Sequence, residues 1–145
     1  MSTTTHGATT DSAISTEDRD ALRQSVADLL AKRSDSTAVR AAMRTPHRFD
    51  SDLWRTLCDE IGVAALAVPE EFGGAGASFI ETATVLEELG ATLSPVPVFS
   101  TALATGALLL SGDADACARL LPDIASGERI ASLCWAGATG WHVPG

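Results

Sequence analysis

Tyrosine is absent from this 145-residue chain, and aromatic residues make up only 5% of it. A core without large rings must be built from Ala, Leu, Val and Ile. An Ala- and Leu-rich composition favours helix, because these side chains lose little entropy there. Cysteine is also scarce: Cys58, Cys117 and Cys134 are odd in number and show no CxxC spacing. That excludes a disulfide framework and a zinc site, and the three read as small buried hydrophobes in a reducing cytoplasm. The first residues lack an apolar stretch of the kind a secretion signal needs, so residues 1–15 read as a disordered tail. Positive charge is sparse, with 10 Lys and Arg against 19 Asp and Glu and a net charge of −9. With no basic stripe evident, this field repels phosphate backbones and argues against nucleic acid as a partner. Between Leu89 and Gly112 charge is missing altogether. Pro95 and Pro97 interrupt that stretch, and its unbroken part, Val98 to Leu110, is too short to span a bilayer. It reads as a helix buried in protein.

What is present is ordinary for one globular domain, with 46% hydrophobic and 20% charged residues. The pattern predicts an all-α bundle of about five helices, followed by one strand. A first helix is expected over Thr16 to Arg33. Ser15 caps it and Asp18 stands three residues on, while Leu22, Val26, Leu29 and Leu30 share a face. Ser34 to Arg48 is polar, contains Pro46, and reads as a loop with at most one broken turn. Asp50 or Ser51 caps a second helix with Leu53, Trp54, Leu57, Cys58 and Ile61 inward, and Gly62 stops it. Val63 to Val68 is expected to be extended.

After Gly73-Gly74-Ala75-Gly76, Ser78 and Glu81 form a capping box for a third helix. Ile80, Ala83, Leu86 and Leu89 form its inner face, and Gly90 ends it. The fourth helix, Val96 to Leu110, is apolar nearly all round and belongs at the bundle centre. A fifth starts at Asp113 and carries Cys117, Leu120 and Leu121. Pro122 suits the first position of one further turn, and Gly127 ends it. Arg129 to Trp135 is a candidate strand. Ala136 to Gly145 then holds three glycines and a proline. A lone strand has no partner for its backbone groups, so a continuation downstream is expected.

No catalytic group stands out. The glycine-rich turn lacks the Lys and Ser/Thr of a P-loop, and two glutamates precede it, so it reads as a structural turn. Glu70/Glu71 and Glu87/Glu88 read as solvated surface rather than as general bases. His6, His47 and His142 are isolated and lack metal spacing.

The run Trp54 to Gly76 carries a tryptophan-bearing helix, a glycine, an apolar stretch, Pro69-Glu70-Glu71, the aromatic Phe72 and Gly73-Gly74-Ala75-Gly76. It resembles the N-terminal domain of acyl-CoA dehydrogenases. Leu86-Glu87-Glu88-Leu89-Gly90 and the segment Arg119 to Glu128 continue the likeness in order, so that it covers roughly Thr16 to Trp135. The resemblance implies a helical domain over 16–128, and the start of a middle β-domain over 129–145. It implies non-covalent FAD, an acyl-CoA substrate, and removal of an α-proton by a glutamate with hydride transfer to flavin N5. The family's catalytic glutamate lies in its C-terminal part, so no catalytic residue is assigned here and the lone chain is expected to be inactive.

By the same resemblance, Phe99, Leu103 and Gly106 match the wall of the acyl pocket, with plain core packing as the competing reading. Leu133, Trp135 and Ala136 match the segment that lies against the isoalloxazine. The chain departs from the family there, because Ala136 and Gly137 replace a Thr and a Glu, so the threonine hydrogen bond to flavin is lost. Trp135 can stack on the ring instead. The departure leaves open a non-catalytic subunit of a heteromeric dehydrogenase, and an unrelated helical binding module is a third reading. Homo- or hetero-oligomers are both compatible with the family. The substrate could be an acyl, aromatic or steroid side-chain thioester, placing the protein in fatty acid or steroid catabolism.

Overall fold

A computed structural model of the chain describes residues 14–134. The expected tail therefore lies outside the described residues, apart from Ile14 and Ser15, as do Trp135, Ala136 and His142. Among the described residues six α-helices follow one another: α1 (Thr16–Arg33), α2 (Ser36–Ala42), α3 (Ser51–Thr56), α4 (Phe79–Thr92), α5 (Val98–Ser111) and α6 (Ala114–Ala125). A π-helical turn, Leu57–Ile61, prolongs α3, and a 3₁₀ turn, Glu70–Phe72, lies before α4. The all-α architecture is as the composition implies.

Side-chain caps set most of the starts. Ser15, Asp35, Asp50, Ser78 and Asp113 each accept from backbone N–H groups of the helix that follows, satisfying donors that a helix end leaves open. The helix α2 is a correction to the loop expected over Ser34 to Arg48. Asp35 accepts from both Thr37 and Ala38, which is enough to start two turns in a segment with only a weak apolar pattern. Gly90 does not end α4. The helix runs on to Thr92, and Leu93 takes the left-handed conformation at φ 54°. A glycine permits that turn without imposing it.

Val63 to Val68 is not extended. Ala65 N–H donates to Gly62 and Val68 N–H to Ala65, and the turned segment then accepts from Ala75, Gly76 and Ala77. Its backbone pairs with the glycine-rich stretch instead of with a strand. This fold-back requires Gly74, where an added Cβ would lie 1.9 Å from the Val68 carbonyl oxygen. Likewise no strand forms over residues 129–134. No neighbouring strand exists among the described residues for it to pair with.

The main core joins α1, α3 and α4 through Val26, Leu30, Leu53, Trp54, Leu57, Val85 and Leu89. A second cluster, Val68, Cys117, Leu121, Ile124 and Ala125, sits under α6. The inner face of α4 is shifted from the expected one: Leu89 is buried and Leu86 packs on the core as expected, but Glu81, Thr82 and Val85 are buried too and Ile80 is exposed. Glu81 explains the rotation. Its Oε2 accepts from Ser78 N–H and Oγ at 2.9 and 2.6 Å, and its Oε1 lies 3.1 Å from Arg19 Nη2 on α1. Burial by itself would raise this carboxyl, but the Ser78 and Arg19 hydrogen bonds outweigh it and hold it below its ordinary value of 4.5. Arg23, one turn along α1, pairs with Glu87 and Glu88.

A carboxyl held below its unfolded value contributes stability above pH 4.5 that is lost as the pH falls through the folded value. Glu81→Gln should therefore cost about 2–3 kcal/mol at neutral pH. Urea midpoints of the variant and the wild type should converge as the pH falls below 4.5; a gap that stays constant into acid would contradict this. Gly74→Ala should cost more than about 3 kcal/mol, because backbone must move to admit the methyl. Thermal melting of that variant checks it.

Candidate functional site

The site is built from α5 and the chain that leaves α6. One face of α5, Val98, Thr101, Ala104 and Thr105, is buried against the rest of the domain. The expectation of a helix at the bundle centre is therefore half right. The opposite face carries Phe99, Leu103 and Gly106, at helical spacing along one side. Phe99 is 60% exposed and Leu103 36%. Gly106 has nothing within 4 Å of where a Cβ would be. The three residues singled out from the sequence do share a face, and that face is open rather than packed.

Two apolar grooves border α5; Phe99 lines the first, and neither Leu103 nor Gly106 lines either of them. At the start of α5, a groove of about 400 Å³ runs between Leu86, Leu89, Leu93, Val96 and Phe99. Toward its other end, a groove of about 390 Å³ is lined by Ala104, Ala107, Leu108, Ile124, Ser132 and Leu133. Leu133, the one described residue of the three expected against flavin, thus faces α5 across the second groove. Trp135 and Ala136 lie outside the described residues.

The course of residues 128–134 is held at its root. The Trp54 indole N–H donates to the Gly127 carbonyl at 3.0 Å, joining α3 to the end of α6. Arg129 pairs with Asp123 at 2.9 Å, and the Thr101 hydroxyl reaches the Ala131 carbonyl at 3.5 Å. The Trp54 contact was not foreseen from sequence; a tryptophan on a helix face signals burial but not where its N–H goes. Gly127 itself has φ 79°, and a Cβ there would lie 2.6 Å from Cys58 Sγ.

Little in these grooves can do acid–base or nucleophilic chemistry. The one carboxylate buried in the core, Glu81, is engaged by Ser78 and Arg19 and borders neither groove. Glu70, Glu71 and Glu87 are exposed. Burial pushes the Cys58 thiol up to about 11, which leaves it unreactive at neutral pH. Among the described residues, no cluster of three or more His, Cys, Asp or Glu could hold a metal ion, and no helix is long and apolar enough to cross a membrane.

Comparison with known proteins gives this geometry a family. A family model described as the N-terminal domain of acyl-CoA dehydrogenase matches residues 16–128. The chain is 46% identical to acyl-CoA dehydrogenase IpdE2 of Mycobacterium tuberculosis over 117 residues, covering 81% of this chain and 36% of that protein. It is 32% identical to acyl-CoA dehydrogenase FadE12 of the same species over 119 residues, covering 81% of this chain and 30% of the relative. Among solved structures, the ChsE4–ChsE5 complex from Mycobacterium tuberculosis superposes with a TM-score of 0.78 at 32% identity, over 89% of this chain and 35% of that one. A variant of the steroid ACAD Tcur3481–Tcur3483 superposes at 0.77 with 29% identity, over 84% and 33%. This chain thus spans about a third of the length of its relatives, 36% in the case of IpdE2. From Thr16 to Glu128 the chain is the N-terminal helical domain of an acyl-CoA dehydrogenase, and it belongs to that family.

Proposed function

We propose that this chain supplies one wall of the substrate pocket in an FAD-dependent acyl-CoA dehydrogenase that desaturates an acyl-CoA thioester at its α,β bond. The observation that carries the reading is the outer face of α5. Phe99, Leu103 and Gly106 leave an apolar surface open on a helix that buries Val98, Thr101, Ala104 and Thr105 on its other side. Apolar pockets of this kind orient an acyl chain by excluding water around it. Phe99 and Leu103 provide the contact area, and Gly106 leaves room for a chain to pass.

The fit to FAD is partial. Leu133 and Ala131 give an apolar surface suited to one face of a flavin ring, and we assign Leu133, Trp135 and Ala136 to that wall. Arg129, at the groove that holds Leu133, is already paired with Asp123. When bound, FAD supplies the hydride acceptor; the residues here would position and shield. No carboxylate of this chain is placed as the base, so abstraction of the α-proton falls to a part of the enzyme beyond this domain.

A second reading is that the domain belongs to a non-catalytic subunit of a heteromeric dehydrogenase. It draws support from the relatedness to a chain of the ChsE4–ChsE5 complex and from the replacement of Thr and Glu by Ala136 and Gly137. Either way the working assembly is oligomeric, in the cytoplasm, with a fatty or steroid acyl thioester as substrate.

The purified 145-residue chain, given FAD and an acyl-CoA, should reduce no electron-accepting dye. In the enzyme assembled with its flavin-bearing part, Leu103→Trp should raise KM for bulky acyl-CoAs about tenfold relative to short ones, with FAD content unchanged. Turnover by the lone chain would overturn the shared-site reading, and unchanged acyl selectivity would remove Leu103 from the pocket.

A further inference from the structure

We propose that the arginine segment from α2 to the start of α3 is a docking surface for an acidic segment of a partner protein. The proposal is independent of the acyl-CoA reading and concerns a different part of the domain. Ser36 to Phe49 contains Arg40, Arg44 and Arg48 and not one Asp or Glu. Its formal charge is +3, so the remainder of a chain with net charge −9 carries −9 − 3 = −12. A local excess of positive charge in so acidic a chain is not what composition predicts.

The arginines are also unneutralised. Arg19, Arg23, Arg55 and Arg129 each pair with a carboxylate. Arg40, Arg44 and Arg48 are exposed, and among the described residues none of their guanidinium groups has a carboxylate partner. They follow one another at four-residue spacing. Hydrogen-bonded turns and bends follow the end of α2, with Met43 N–H donating to Val39, Arg44 N–H to Ala41 and Arg48 N–H to Thr45. Like charges at that spacing on a turn repel, and Arg48 is held at a left-handed φ of 57°. Nothing in the packing of the domain calls for three such residues.

The segment is anchored rather than loose. Ser34 Oγ lies 2.7 Å from Ser94 Oγ at one end, and Asp50 N–H donates to the Pro95 carbonyl at 2.8 Å at the other. Both ends are thereby fastened to the linker that joins α4 to α5. Met43 within the segment is 60% exposed, and Leu93 beside Ser94 is 77% exposed. Exposed Arg and Met together are the composition of protein interfaces, where Lys is depleted.

The charge distribution also selects the class of partner. An extended anionic surface, such as a membrane or a nucleic acid, would meet the field of the remaining −12 charges. A short acidic segment reads only the field within about 10 Å, set by the three arginines together with the flanking Asp35 and Asp50. The guanidinium fork pairs two-handed with carboxylates, which a lysine cannot do.

The test uses the full 145-residue chain and a fluorescently labelled synthetic peptide of Glu and Asp residues flanking a central leucine. Anisotropy titration at low salt should show saturable binding that weakens as salt rises. The triple variant Arg40→Glu, Arg44→Glu, Arg48→Glu should bind about tenfold or more weakly, and Arg55→Glu should bind as the wild type does. All four positions are exposed, and thermal melts of each variant establish that it is folded. The proposal fails if the peptide shows no saturable binding or binds the triple variant equally well. It fails equally if phosphatidylserine vesicles bind the wild type more tightly than the peptide does, through the same arginines.

Discussion

The hydrogen bond from the Trp54 indole to the Gly127 carbonyl is the constraint on which the geometry of the site depends. It is made across the sequence, between the second core helix and the last turn of α6, and Trp54 is itself 5% exposed. With that N–H satisfied, the chain leaving α6 has one course, beside α5. The contact tolerates no side chain at position 127, since a Cβ there would press on Cys58. Burial that makes Cys58 a poor acid and the need for glycine at 127 are two consequences of one close approach. The groove that holds Leu133 exists because this joint sets how far residues 130–133 stand from α5.

Glu81 plays the corresponding part on the opposite side of the domain. A single carboxylate closes the capping box of α4 and receives Arg19 from α1, so helix initiation and helix docking rest on the same atoms. A buried ion pair is a poor source of net stability, because desolvation offsets much of the attraction. Its effect here is directional. It turns α4 so that Val85 joins Leu89 in the core and Ile80 faces out, where apolar spacing had placed Ile80 inward.

Most of the helical plan was legible because it is written in local chemistry. Ser15, Asp50, Ser78 and Asp113 mark helix starts through bonds to their own neighbours, and such bonds form whatever the rest of the domain does. Two of the misreadings have the opposite property. Whether residues 63–68 extend and whether residues 129–134 form a strand depend on partners farther along the chain. The pairing of Leu66 and Val68 with Ala77 and Gly76 has no signature in a six-residue window. Of the site, Phe99, Leu103 and Gly106 followed from the family likeness alone. Their exposure did not, since an apolar helix reads as buried however much of the protein around it is present. The arginine segment was hidden by averaging, because a net charge of −9 conceals a stretch without any acid.

The half-buried state of α5 follows from its composition and not from any defect in packing. A helix uncharged from Val98 to Ser111 must meet apolar surface on all sides to avoid a hydration cost. This domain covers only the side bearing Val98, Thr101, Ala104 and Thr105. An acyl chain is narrow and could cover a strip around Phe99 and Leu103, but not Leu110, which is 89% exposed at the far end of the helix. On the proposed reading, substrate and protein would share the outer face, one lying along its middle and the other closing its ends. A pocket completed in that way would be apolar where the acyl group lies. The proposal thus divides the work, with acyl selectivity set by side chains on a helix whose inner face is already fixed.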